Sequence, residues 1–317
     1  MMTSRKRSNS NLMTDEDILV GLFCILGGCV HSLFQGVMQM ICAWQEFLKL
    51  LPITLRQQVD RRSGKELEEL RLRVGYKPEL VFGNRSLWLD KPTDRQDVRF
   101  IVNAVSQYSP WAATSMANGF ITAPGGHRIG FCGDVVTQNG CITGIREVSS
   151  LCMRVARAFP GISGEGLSGS VLIIGKPGSG KTTLLRDLIR QRSEQGKGSV
   201  CVVDERGELF PMVQGAHCFD PGPRTDILSA CDKANGTLML LRTMRPGTIA
   251  VDEITAEQDC DALMNAGWCG VSLLATAHAA DRNDLLHRPV YRSIVSNRLF
   301  DTLVIMQPDK SWRAERM

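Results

Sequence analysis

Gly175-Lys176-Pro177-Gly178-Ser179-Gly180-Lys181-Thr182 follows the pattern G-x-x-x-x-G-K-[ST], which wraps backbone N–H groups around the phosphates of a nucleotide. The apolar residues 171–174 before it read as a buried strand, and residues 183–189 after it read as a helix. Glycines let the chain close around an anion, and the amino end of the helix adds partial positive charge. In this reading Lys181 reaches the β- and γ-phosphates, Thr182 holds Mg²⁺, and Thr183 completes the loop at the start of the helix. ATP and Mg²⁺ are the cofactors expected.

Four further segments carry side chains suited to the same chemistry. Residues 248–253 form an apolar run ending in Asp252-Glu253. There Asp252 would hold the metal through water, and Glu253 would orient or deprotonate an attacking water. Residues 202–208 are a second apolar run ending in acids: Asp204, Glu205 and Glu208. Ligands of parallel sheets sit at the carboxyl ends of the strands. These acids are therefore expected to face the γ-phosphate or its metal. Residues 272–279 end a third run, with Thr276 and His278 alternating onto one face. His278 reads either as a sensor of the γ-phosphate or as a structural hydrogen-bonder. Arg242 and Arg245, just before the Asp-Glu run, read equally as an arginine finger or as charges at a helix carboxyl end.

The elements that must position these groups divide the chain. In residues 44–59 Trp44, Phe47, Leu48, Leu51, Leu55 and Val59 recur at helical spacing around Pro52. Residues 67–74 alternate leucine and valine with charge, as a half-buried strand does. Short strands are expected near 79–82 and 86–89, and a helix capped by Thr93 runs to Gln107. Residues 120–123 and 127–132 read as strands around the turn Pro124-Gly125-Gly126, with another strand at 151–156. These make an α+β domain over residues 46–160. Pro160-Gly161 and the residues to Gly166 read as a linker. Residues 161–317 then alternate strand and helix, with strands at 171–174, 199–203, 248–251, 272–275 and 299–306. Near-continuous apolar strands indicate a mainly parallel sheet covered on both faces.

A length of 317 residues accommodates both domains, and a formal charge of +4 is too mild to select an anionic partner. No aromatic platform lies among basic residues, so nucleic acid is not expected as a partner. The eleven cysteines include no C-x-x-C pair. They read as reduced, mostly buried thiols, Cys201 and Cys269 among them, with no zinc spacing. Residues 18–45 contain no Asp, Glu, Lys or Arg. This apolar extension, residues 1–45, reads as a membrane-spanning or membrane-lying helix, or as residues upstream of a true start near Met38 or Met40. A signal peptide is rejected, because export would part a phosphate loop from cellular ATP.

Taken together, the five segments resemble the type II/IV secretion-type ATPases. Asn265 through Ala279 is similar to that group's histidine box, residues 203–208 to its acidic box, and residues 242–253 to the stretch ending in its catalytic glutamate. One branch, the stage III sporulation protein AA family, is similar over residues 46–307. Leu50-Leu51-Pro52, residues 68–73 with Pro78, residues 119–122, residues 125–130 and Arg154-Val155-Ala156 carry that likeness. The first 45 residues do not share it. Asp252-Glu253 also departs from the Gly-Glu common in secretion ATPases, which leaves Glu253 and Glu205 both open as the base. The resemblance implies a RecA-like ATPase domain behind the smaller α+β domain. It further implies a hexameric ring on the cytoplasmic side of a membrane, working against membrane proteins of a sporulation channel complex. It places nucleotide between the domains, where Arg128, Arg154 or Arg157 would complete the site. The rival readings are a nucleic-acid-remodelling ring and a scaffold that holds ATP with little turnover.

Overall fold

A computed structural model describes residues 40–106, 119–196 and 198–317. Residues 1–39 of the expected apolar extension and Gln107, the far end of the helix expected after Thr93, lie outside the described residues. The end of that extension is corrected: Ile41 bridges Ala158, and Trp44 and Gln45 open the first described helix. Among the described residues no helix is long and apolar enough to cross a membrane.

Among the described residues two helices come first, α1 (Trp44–Lys49) and α2 (Ile53–Arg62). Pro52 separates them, since it cannot continue the first and suits the start of the second. They pack on a six-stranded antiparallel sheet of order β3-β2-β1-β6-β5-β4. Its strands are β1 (Glu69–Arg73), β2 (Glu79–Phe82), β3 (Arg85–Trp88), β4 (Phe120–Thr122), β5 (Arg128–Gln138) and β6 (Cys141–Arg154). In β1 the alternation turns Leu70 and Leu72 into the core, where both are fully buried. Helix α3 (Arg95–Ser106) covers the same core with Val98, Ile101 and Val105. Its cap is Asp94 rather than Thr93. The Asp97 amide donates to Asp94 Oδ1 at 2.8 Å, and the Asp94 amide donates back to Asp97 Oδ2 at 3.2 Å, the reciprocal pattern of a capping box. Thr93 is instead buried with its hydroxyl unpaired.

The β5–β6 hairpin is far longer than the expected strands at 127–132 and 151–156. It turns at Asn139-Gly140, both with positive φ (52° and 78°), the pair that a tight hairpin turn requires. Its outer half is exposed on both faces, so no apolar alternation marks it in the sequence.

The second sheet has seven strands in the order β11-β8-β12-β13-β7-β14-β15. They are β7 (Val171–Ile174), β8 (Val200–Asp204), β11 (Thr225–Ser229), β12 (Thr248–Ile254), β13 (Ser272–Ala277), β14 (Thr302–Met306) and β15 (Trp312–Arg316), with a two-stranded hairpin β9 (Met212–Val213) and β10 (Ala216–His217) beside them. All neighbours are parallel except β14 and β15. Alternate residues of the strands feed two apolar clusters. Leu172, Cys201, Val203, Ile249 and Val251 enter one; Val171, Ile173, Val200, Val202 and Ala250 enter the other. Helix α4 (Lys181–Gln195) closes the second cluster with Leu184, Leu185, Leu188 and Ile189. Helices α5 (Lys233–Thr243) and α6 (Glu257–Trp268) close the first, with α7 (Arg282–His287) and α8 (Arg292–Ser296) at its border. A sheet covered on both faces explains the continuous apolar strands. It also puts the carboxyl ends of β7, β8, β12 and β13 on one edge.

The nine described cysteines are free, and only Cys201 and Cys260 are buried. The expectation of mostly buried thiols is corrected: Cys132 and Cys141 lie on the exposed hairpin, and Cys269 lies just past the end of α6.

Asp187 of α4 anchors the segment that joins the two sheets. It accepts from the amides of Gly161 and Ser163, each at 2.9 Å, and from the Ser163 hydroxyl at 2.6 Å. Burial works to raise its carboxyl, but the donors of Ser163, Arg190 and Gly161 outweigh it and hold the group below its ordinary value. A carboxyl depressed by folding adds stability above its unfolded value, about 3.9, and loses it as pH falls through the folded value. Asp187→Asn should therefore melt below the wild type at pH 6–7. The gap should close below about pH 4, as melting temperatures taken from pH 3 to 7 will show.

Candidate nucleotide site

The phosphate loop leaves β7 at Gly175 and enters α4 at Lys181. Gly178 (φ 75°) and Gly180 (φ 99°) hold left-handed conformations that side chains rarely adopt. Lys181 is buried. Its amine donates to the carbonyls of Gly175 (3.0 Å) and Lys176 (3.1 Å) and to His278 Nδ1 at 3.2 Å. Burial pushes its pKa down, against the pull of Asp252 and Glu253. An ammonium only donates, so Nδ1 accepts and the His278 ring carries its proton on Nε2. That nitrogen lies 3.2 Å from Glu253 Oε1.

Asp252 is held from two sides. Thr182 Oγ1 donates to Oδ2 at 2.9 Å, and Thr276 Oγ1 donates to Oδ1 at 2.5 Å. The same Thr276 oxygen accepts the Glu253 amide at 2.7 Å. This is possible because β12 bulges: Val251 pairs with Ala275 and Ile254 with Ala277, three steps against two. Glu253 sits at φ 53°, left-handed for a residue with a side chain. The bulge sends two neighbouring carboxylates towards one site.

The expected residues divide as follows. Lys181, Thr182, Asp252, Glu253, Thr276 and His278 form one bonded network. Gly175, Lys176, Pro177, Gly178, Ser179 and Gly180 frame it, with Thr183 in the first turn of α4. Glu205 lies apart, in an ion pair with Lys233, whose amine is also 3.9 Å from Asp259. The expectation that Asp204 faces the γ-phosphate is corrected. Its buried carboxylate accepts the amides of Glu208, Leu209 and Phe210 at 2.8–3.2 Å, folding the loop back on itself. Glu208 pairs with Arg128, whose guanidinium lies 3.8 Å over the Phe120 ring. Arg154 is 3.9 Å from Glu69. Arg157 donates to the carbonyls of Lys65 and Leu67. Arg242 and Arg245 are exposed and precede β12, at the amino edge opposite the phosphate loop.

Two arginines escaped the sequence reading. Arg206 pairs with Glu253 Oε2 at 3.0 Å. Arg186 is buried in α4 and donates to the carbonyls of Leu209 (2.7 Å), Glu208 (2.9 Å) and Arg157 (3.3 Å). Burial pulls its pKa to about 10. No local pattern flags either one, because their partners are distant backbone carbonyls and a carboxylate from another strand.

The donor set fits the expected cofactors. Threonine hydroxyls and a carboxylate are the hard oxygen ligands that Mg²⁺ prefers. The Ser179 hydroxyl is buried in the loop with no partner, where a phosphate oxygen would supply one.

The family described as "Sporulation stage III, protein AA" matches residues 43–314. The chain belongs to the sporulation stage III protein AA family. Stage III sporulation protein AA of Bacillus subtilis (strain 168) is 35% identical over 271 residues, 81% of this chain and 88% of that protein. The Arabidopsis thaliana protein SEEDLING PLASTID DEVELOPMENT 1 is 26% identical, over 78% of this chain but 35% of its own length. Among solved structures, the Legionella pneumophila ATPase DotB superposes with a TM-score of 0.55 at 14% identity, over 84% of this chain and 80% of that one. The pilus retraction motor PilT with bound ADP gives 0.50 at 12% identity, over 80% and 76%. The fold of this chain is thus that of the RecA-like secretion ATPases.

In this member of the family the 204–210 loop depends on Asp204. Asp204→Ala would strand buried amides, at about 1–3 kcal/mol for each left unsatisfied. It should lower the urea midpoint clearly, without a comparable change in the urea m-value.

Proposed function

We propose that this protein is a Mg²⁺-dependent ATPase that works as a ring, a hexamer, at the cytoplasmic face of a membrane and energises a sporulation channel complex. The observation that carries the reading is the bonded network itself. An ammonium, a hydroxyl–carboxylate pair and a second carboxylate meet at the amino end of α4, as nucleotide hydrolysis requires. Family membership supports the sporulation setting, and the fold shared with DotB and PilT supports the motor class. The division at about residue 160 would make one working subunit of two domains, with nucleotide between them.

The chain's own groups would act as follows. Lys181 leaves the carbonyls of Gly175 and Lys176 for the β- and γ-phosphate oxygens, lowering their charge. Free amides of the first turn of α4 receive the same oxygens. Thr182 and Asp252 would hold Mg²⁺, which supplies charge neutralisation on the phosphates when bound. Glu253 orients a water and takes its proton while the water oxygen bonds to the γ-phosphorus. The bond from that phosphorus to the ADP oxygen then breaks. His278 ties Glu253 to Lys181, so the base and the phosphate-binding amine move together.

Two variants test this. Lys181→Ala should keep the wild-type circular dichroism and lose nucleotide binding and phosphate release. Glu253→Gln should still bind ATP but hydrolyse it about a hundredfold more slowly. Wild-type turnover in Lys181→Ala would refute the site, and wild-type turnover in Glu253→Gln would move the base elsewhere.

A further inference from the structure

Glu253 is occupied on both oxygens. His278 Nε2 lies 3.2 Å from Oε1 and Arg206 Nη1 3.0 Å from Oε2. A general base must offer an oxygen to water, and a guanidinium on that oxygen competes for the place. Arg206 sits on a loop fixed at both ends. Asp204 binds three of its amides, and Glu208 ties it to Arg128 of the antiparallel sheet. The Arg206 side chain itself is 52% exposed, and its pair with Glu253 is its one ion pair among the described residues. Arg128 is pulled below the usual arginine value by burial first, and then by repulsion from Arg154 and Arg206. A γ-phosphate carries more charge than a carboxylate and accepts a guanidinium through two oxygens, so it would outcompete Glu253 for Arg206.

We propose that Arg206 is a positioning residue that restrains Glu253 until a γ-phosphate arrives, then moves to the phosphate and frees the base. The Glu208–Arg128 pair holds the loop against the antiparallel sheet, so the placement of that sheet sets how far Arg206 can reach. The inference rests on the ATPase reading and deepens it, because it makes the site respond to triphosphate and not to diphosphate.

The test uses the full chain and compares ATP and ADP affinities, with Mg²⁺, by calorimetry. Arg206→Ala should weaken ATP about tenfold and leave ADP unchanged, and Arg206→Lys should restore part of the difference. Glu208→Gln should shift the ATP-to-ADP ratio in the same direction by less. The decisive measurement is a double-mutant cycle. Glu253→Gln should tighten ATP more when Arg206 is present than in the Arg206→Ala background, because only then does the substitution release a restrained guanidinium. An unchanged ATP-to-ADP ratio in Arg206→Ala, or an equal effect of Glu253→Gln in both backgrounds, overturns the proposal while leaving the ATPase reading standing. Absence of nucleotide binding by the wild type overturns both.

Discussion

Consecutive side chains of a strand point to opposite faces, so Asp252 and Glu253 could not serve one site from a regular β12. One extra residue between Val251 and Ile254 removes the conflict. The backbone takes a left-handed turn at Glu253, at a cost of order 1–3 kcal/mol. Buried Thr276 offsets that cost. Its single hydroxyl accepts the Glu253 amide and donates to Asp252. Each such bond contributes about 1 kcal/mol, more where the partner is charged. The same bulge that strains the strand satisfies its freed amide and orients its first carboxylate.

A second constraint is the buried guanidinium of Arg186. It has no carboxylate within ion-pair reach among the described residues and is met by three carbonyl oxygens and the Phe219 ring, 3.9 Å away. A buried charge without enough partners costs several kcal/mol. Any rearrangement of the 204–210 loop therefore has to keep Arg186 supplied. Its third carbonyl belongs to Arg157, whose own guanidinium binds Lys65 and Leu67. A continuous set of contacts thus runs from the helix behind the phosphate loop to the antiparallel sheet. It passes beside Glu208 and Arg128, the pair that joins the same two regions from the loop side. Such contiguity permits coupling between the phosphate loop and the antiparallel sheet.

The phosphate loop and the cores of β7, β8, β12 and β13 were legible in the sequence because their signals are local. Apolar runs, glycines and a strand-ending acid pair lie within a few residues of one another. What escaped has no such signal. β11 and β15 are edge strands with little burial, so neither alternation nor a continuous apolar run marks them. The long hairpin was missed despite Asn139-Gly140, because its outer strands bury neither face. The pairing of Glu205 with Lys233 joins the end of β8 to the start of α5, across a separation that periodicity cannot reveal. The sequence pattern points the acids after β8 towards the γ-phosphate or its metal, as it does the pair that ends β12. Asp204 shows the competing demand, since a tight loop leaves buried amides that a carboxylate satisfies well.

The placement of Arg242 and Arg245 bears on assembly. They precede Thr248, at the amino end of β12, while the phosphate loop follows the carboxyl end of β7 in a sheet where the two strands run the same way. β12 spans seven residues, and at roughly 3.3 Å per residue the edges stand on the order of 20 Å apart. An arginine side chain cannot cross that distance, so neither residue can meet phosphates bound in its own chain. If these arginines contribute to hydrolysis, they must do so in another subunit, and that contribution would be missing from an isolated monomer. The residues that do lie at the carboxyl edge, Arg206 directly and Arg128 through Glu208, need no such neighbour. On the proposed reading the chain therefore carries two sets of arginines, one placed to answer a γ-phosphate in its own chain and one that could answer it only in another subunit.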